Sequence, residues 1–138
     1  MTKVESKKVE INSQVEKIFE FLADFTHFSF LLPDKVENWK ATVDKCSFTI
    51  KGMTDFGMKF SQKNPFTSIL IINDEEVSMP VKFVFSWLFT NQNENNTTVQ
   101  VVFDLDMNPM MAMMVKKPLS NFLDVLVEKL KEKIEQDS

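Results

Sequence analysis

From Cys46 to Met107 the apolar side chains fall on alternate positions, segment after segment. Cys46, Phe48 and Ile50 alternate with Ser47, Thr49 and Lys51, and Phe56, Met58 and Phe60 alternate with Gly57, Lys59 and Ser61. Val81, Phe83, Phe85, Trp87 and Phe89 alternate with mostly polar neighbours, as do Val99, Val101, Phe103, Leu105 and Met107. A period of two sends successive side chains to opposite faces of a strand. Repeated this way, it predicts antiparallel strands with one packed face and one wet face. Residues 37–43, around Trp39 and Ala41, and the β-branched run 66–72 after Asn64-Pro65 add two more strands. The polar stretch 91–96 reads as a hairpin loop. Residues 2–12, with Val4, Val9 and Ile11, predict a first strand.

Two regions break the alternation. Ser13-Gln-Val-Glu16 has the spacing of a capping box, and Val15, Ile18, Phe19 and Leu22 follow at helical spacing. A helix is therefore expected over residues 14–24, then a shorter one over 26–32 that stops at Pro33. At the other end, Asn108 is a good cap and Pro109 suits the first helical position. Met111, Val115, Leu119, Phe122, Leu126, Leu130 and Ile134 then form an apolar stripe. Residues 109–134 would make a helix of roughly 39 Å, similar to the roughly 33 Å of a ten-residue strand. One long helix can thus cover the apolar face of a curved sheet. Pro118 within it removes one backbone hydrogen bond and predicts a kink. The class is α+β, with about six to seven antiparallel strands.

Composition removes many functions. The chain has 138 residues, 16 Lys+Arg against 20 Asp+Glu, and a net charge of −4. Every cation is lysine, so no bidentate guanidinium clamp is available. One His and one Cys cannot build a zinc or iron–sulfur site, and two glycines cannot supply a phosphate-binding loop. No metal and no cofactor are expected. An acidic chain is a poor nucleic-acid binder. The longest dense apolar stretch, residues 83–89, is too short to span a bilayer. A single cysteine and a start without an apolar run fit a reducing, cytoplasmic location. Two Asn-x-Thr matches at Asn95 and Asn96 are read as chance.

The order strand, two helices, about six strands, long helix resembles the helix-grip fold of the START-like superfamily, also called SRPBCC. That group includes pollen-allergen relatives, lipid-transfer domains, polyketide cyclases and chaperone-ATPase activators. The resemblance rests on Val9-Glu-Ile-Asn-Ser-Gln-Val-Glu-Lys-Ile-Phe-Glu-Phe-Leu-Ala-Asp24 and on Asn108-Pro-Met-Met-Ala-Met-Met-Val-Lys-Lys-Pro-Leu119. It covers nearly the whole chain and implies one domain over residues 1–138. It also implies a cavity between sheet and long helix that takes an apolar ligand. The glycine-rich loop of the plant relatives is missing; residues 51–57 stand there with Gly52 and Gly57. Fold alone does not choose among binder, carrier and enzyme.

If the aromatic faces turn inward, the sheet contributes Cys46, Phe48, Ile50, Phe56, Met58, Phe60, Phe83, Phe85, Trp87, Phe103, Leu105 and Met107 to the interior. The long helix contributes Met111, Met114, Val115, Phe122 and Leu126. The only titratable group in this set is one thiol, and general acid–base catalysis needs a positioned proton carrier. The set reads either as a pocket for a small apolar ligand, a lipid or an aromatic metabolite, or as a core filled by bulky Phe and Met. No catalytic residue is assigned. A cyclase- or hydrolase-type enzyme would need Asn38, Asp55, Gln62 or His27 to point inward. A cavity-free scaffold would act through its surface.

The remaining polar candidates have plainer readings. His27 is expected to be a surface or hydrogen-bonded histidine and Cys46 an inert buried thiol. Asp104 and Asp106 should face water, opposite lysines of a neighbouring strand. Val84, Leu88 and Val102 occupy the wet side, joined by either Ile69 and Ile71 or Leu70 and Ile72, and suggest a homodimer face.

Overall fold

The structure, a computed structural model, describes residues 2–52, 55–77 and 82–137. Val81 and residues 53 and 54 of the 51–57 segment lie outside these. Eight strands form one antiparallel, curved sheet: β1 Thr2–Glu5, β2 Val9–Ile11, β3 Val36–Ala41, β4 Lys45–Ile50, β5 Asp55–Asn64, β6 Ser68–Asn73, β7 Lys82–Asn93 and β8 Asn96–Asp106. Their order is β1-β8-β7-β6-β5-β4-β3, with β2 also paired to β8. Between β2 and β3 lie helix α1, Val15–Leu22, and the 3₁₀ helix Phe25–Leu31; α2, Pro109–Gln136, closes the chain.

The expected first strand is two strands. Ser6 makes the break: its amide donates to the Val101 carbonyl, and its hydroxyl oxygen accepts from the Val101 amide, both at 2.9 Å. The side chain thus replaces one backbone link of the ladder and keeps both pieces on β8. The capping box does not form. Helix α1 starts at Val15 with Gln14 before it and no side-chain cap. Ser13 is turned into the sheet instead, its amide bonded to the Ile11 carbonyl and its own carbonyl accepting from Thr97 Oγ1. Asp24, rather than a residue of α1, caps the 3₁₀ helix by accepting from the Thr26 amide.

Alternation holds where it was strongest. Cys46, Phe48 and Ile50 on β4, Phe83, Phe85 and Trp87 on β7, and Val99, Val101, Phe103 and Leu105 on β8 are all buried. On β6, Ile69 and Ile71 are fully buried, so Leu70 and Ile72 take the outer face. Three register shifts interrupt the described strands; the one between Asn91 and Asn93 lies at the β7–β8 hairpin end, and the two others shift the inward pattern. One lies between Glu37 and Lys40 on β3, where Asn38 adopts φ +56°, a region Asn tolerates. It lets both Val36 and Trp39 turn toward the core. The other lies between Phe60 and Gln62 on β5. Phe66, expected in a strand, sits in the turn before β6 at φ +68° and packs edge-on against Phe19. The hairpin strands run further into 91–96 than expected, to Asn93 and from Asn96.

Helix α2 is continuous from Pro109 to Gln136, with Asn108 accepting from the Met111 amide and Pro118 inside it. Its later turns are stitched to the β1–β2 edge. Asp124 accepts from the Lys7 amide, Glu128 pairs with the Lys7 ammonium, Glu135 accepts from the Asn12 amide and Lys131 donates to the Glu10 carbonyl. On the opposite flank Lys129 donates to the Leu32 carbonyl at 2.8 Å. These contacts clamp α2 across the sheet and leave its first turns less tied. Met110, Met111, Met113 and Met114 there are exposed.

Candidate functional site

Between the sheet and α2 lies a cavity of about 40 Å³. Sheet residues Cys46, Phe48 and Ile50 of β4, Phe56 and Met58 of β5, Phe85 and Trp87 of β7 and Phe103 of β8 form its floor. Leu119, Phe122, Leu123 and Leu126 of α2 roof it, and Phe28, Leu32 and Trp39 close one end. The space would hold at most about three waters. Its wall offers them almost no polar partner. The bulky rings that line it leave no room for a larger guest without rearrangement.

A second, open cleft of about 670 Å³ adjoins it. It lies between the 33–35 segment, the end of β4 with Lys51 and Gly52, and the α2 residues Met114, Val115, Pro118, Asn121, Phe122, Val125 and Lys129. Ile50 and Phe122 line both spaces and form the wall between them. Ile50 is fixed in the β4 ladder, but Phe122 is only half-buried. The ring is the more easily displaced of the two.

The expected interior residues therefore divide. Phe48, Ile50, Phe56, Met58, Phe85, Trp87, Phe103, Phe122 and Leu126 meet at the cavity, together with Cys46. Phe83 and Leu105 are buried but pack away from it; the Phe83 ring stacks on Phe103 at 5.0 Å. Phe60, just before the β5 bulge, stacks on Phe25 at 4.1 Å. Met107 is only partly buried, on the rim of the core. Met111 and Met114, placed inside from the sequence, are 51% and 79% exposed, and Met114 lines the outer cleft with Val115. The helix stripe rotates here because the clamp on the later turns decides which side of α2 faces the sheet. Phe28, Leu32, Trp39, Leu119 and Leu123 also belong to the wall and were not among the expected lining. The run Leu119, Phe122, Leu123, Leu126 has i, i+3, i+4, i+7 spacing and carried that signal.

The polar chemistry at the wall is sparse. Among the described residues its only titratable group is Cys46, whose thiol is pushed far up by burial, with the Asp74 charge adding to it. A thiol held neutral is a poor nucleophile. Trp87 is fully buried, and its Nε1–H has no hydrogen-bond partner among the described residues. Asn38, Asp55 and Gln62 are exposed. His27 Nδ1 lies 2.8 Å from the Phe21 carbonyl, and its ring stacks on that of Phe21. None of these four lines the cavity. Asp104 and Asp106 stand opposite Lys3 and Lys82 in the strand register. Among the described residues no three His, Cys, Asp or Glu gather as a metal-binding group, and no helix is long and apolar enough to cross a membrane.

Known protein families and curated proteins gave no match to this sequence. Solved structures did. A START superfamily protein from Mycobacterium smegmatis superposes with a TM-score of 0.76 at 18% identity, covering 99% of both chains. A point mutant of norcoclaurine synthase from Thalictrum flavum, in complex with a transition-state analogue, gives 0.76 at 12% identity, over 99% of this chain and 96% of that one. The di-domain ARO/CYC protein BexL of the BE-7585A biosynthetic pathway gives 0.65 at 14%, over 98% of this chain and 47% of that one. At these identities the likeness speaks for architecture. A curved antiparallel sheet gripping a long C-terminal helix, matched end to end by such structures, makes this a protein of the START-like, helix-grip fold.

Proposed function

We propose that residues 1–138 form one START-like domain that binds and carries a small apolar molecule, a lipid or an aromatic metabolite, without converting it. The supporting observation is the shared wall: an apolar cavity and a wide cleft that have Ile50 and a half-buried Phe122 in common. Displacing that ring would join them into a site within the usual size range of small-molecule pockets. The non-catalytic part of the reading is supported by a wall whose only titratable group among the described residues is a thiol held neutral. A free buried Cys46 suits a reducing compartment, and we place the carrier in the cytoplasm. A second copy docking on the convex face, around Leu88 and Val84, belongs to the same reading; a concentration-independent monomer mass by light scattering would remove it.

The small volume of the closed cavity favours one rival, a filled scaffold that acts through its surface. Both tryptophans of the chain, Trp39 and Trp87, line the cavity, and there is no tyrosine. Their emission is therefore a direct reporter. Titration with neutral N-phenyl-1-naphthylamine should quench it saturably, and decan-1-ol should reverse the quenching. Emission unchanged up to the solubility limit of the probe would mean that the wall does not open, and the scaffold reading would replace the carrier.

A further inference from the structure

The rim of the outer cleft carries an excess of positive charge that the rest of this acidic chain does not explain. Lys35, Lys51 and Lys129 line it, against a single carboxylate, Asp34. Lys35 and Lys51 are neighbours across the ends of β3 and β4: the Lys51 amide donates to the Lys35 carbonyl at 2.8 Å. Like charges placed side by side on adjacent strands repel. Neither lysine has a carboxylate within salt-bridge distance among the described residues, although carboxylates outnumber lysines 20 to 16 in the sequence. Lys129 is held in place by its bond to the Leu32 carbonyl, which fixes an ammonium at the inner end of the same rim. The rest of the lining is mostly apolar, with Ile50, Val115, Pro118, Phe122 and Val125 beside the polar Asn121.

Resting on the carrier reading, we infer that the carried molecule is an amphiphile with a monoanionic head, a carboxylate or its equivalent, on a single apolar chain. The head sits between Lys35 and Lys51 at the rim, and the chain runs along α2 toward Phe122 and the cavity. No bond is made or broken.

The test compares decanoate with decan-1-ol, which share the chain and differ in the head, by displacement of N-phenyl-1-naphthylamine from the full-length protein. Each exposed ion pair should contribute about two- to fivefold in affinity. The K35Q/K51Q variant should therefore lose about four- to twenty-fivefold for decanoate and stay within twofold for decan-1-ol. In the wild type, raising salt from 0.05 to 0.5 M should weaken decanoate alone, since screening acts only on the charged head. The salt series needs no variant, so a variant that fails to fold still leaves the inference testable. Equal weakening of both ligands, or an unchanged ratio in both series, overturns the anionic head and leaves the carrier standing. Failure of both ligands to bind the wild type overturns the carrier and this inference with it.

Discussion

Truncating Phe122 to alanine separates a gate from a core filler. A fully buried Phe→Ala change costs roughly 3–5 kcal/mol. The Phe122 ring is half-buried and borders open cleft on one side, so about half of that loss is expected, near 2 kcal/mol. For a chain of 138 residues this lowers Tm by about 8 °C. Passage should change in the opposite sense. Moving the ring out of its rotamer well costs of order 0.5–1.5 kcal/mol. Removing it should then speed uptake by about two- to tenfold. Urea denaturation gives the first number. Stopped-flow mixing with N-phenyl-1-naphthylamine, followed through Trp39 and Trp87, gives the second. A stability loss of 4 kcal/mol or more together with an unchanged uptake rate would refute the reasoning, because the ring would then be packing and no barrier.

Three further outcomes are expected. The Cys46 thiol is raised in the folded state, so the unfolded chain loses its proton first as pH rises. Stability should fall above the ordinary thiol value of 9.0, by up to about 1.4 kcal/mol per pH unit, and the difference between wild type and Cys46→Ala measured by urea from pH 7 to 10.5 should carry that slope; parallel curves would refute it. A Cβ on Gly57 would lie 2.5 Å from Val77 Cβ and Cγ2, so Gly57→Ala should cost about 1–3 kcal/mol, and a midpoint indistinguishable from wild type would disprove the close packing of that turn on β5. Trp87→Phe removes an unpartnered buried N–H, a relief of about 1–3 kcal/mol that offsets the smaller ring; a net loss above 3 kcal/mol would show that the indole nitrogen is satisfied.

Much of the architecture was legible in the chain because it is written in periods. Alternation from Cys46 to Leu105 assigned strands and their inner faces, since a one-residue slip would expose Phe85 and Phe103 together. Asn108-Pro109 announced the long helix, and local cap chemistry alone is enough for that. The capping box at Ser13 was lost because the neighbouring Ile11 carbonyl took up its amide and the distant Thr97 hydroxyl its carbonyl. The choice between Ile69/Ile71 and Leu70/Ile72 was undecidable along residues 69–72, all of which are apolar. Only pairing with Phe85 and Trp87 on β7 turned the first pair inward.

Sequence by itself determined that the inner face of the sheet is apolar, because period and composition are properties of single segments. What the tertiary structure decided is how much space that interior holds and where it opens. Whether Met114 lines a cavity or a cleft depends on the rotation of α2, and that rotation is set by Lys7, Glu10 and Asn12 on the far edge of the sheet. The pairing of Lys35 with Lys51 depends on the register of β3 on β4. Cavity volume is a small difference between large packed volumes, so no local pattern contains it.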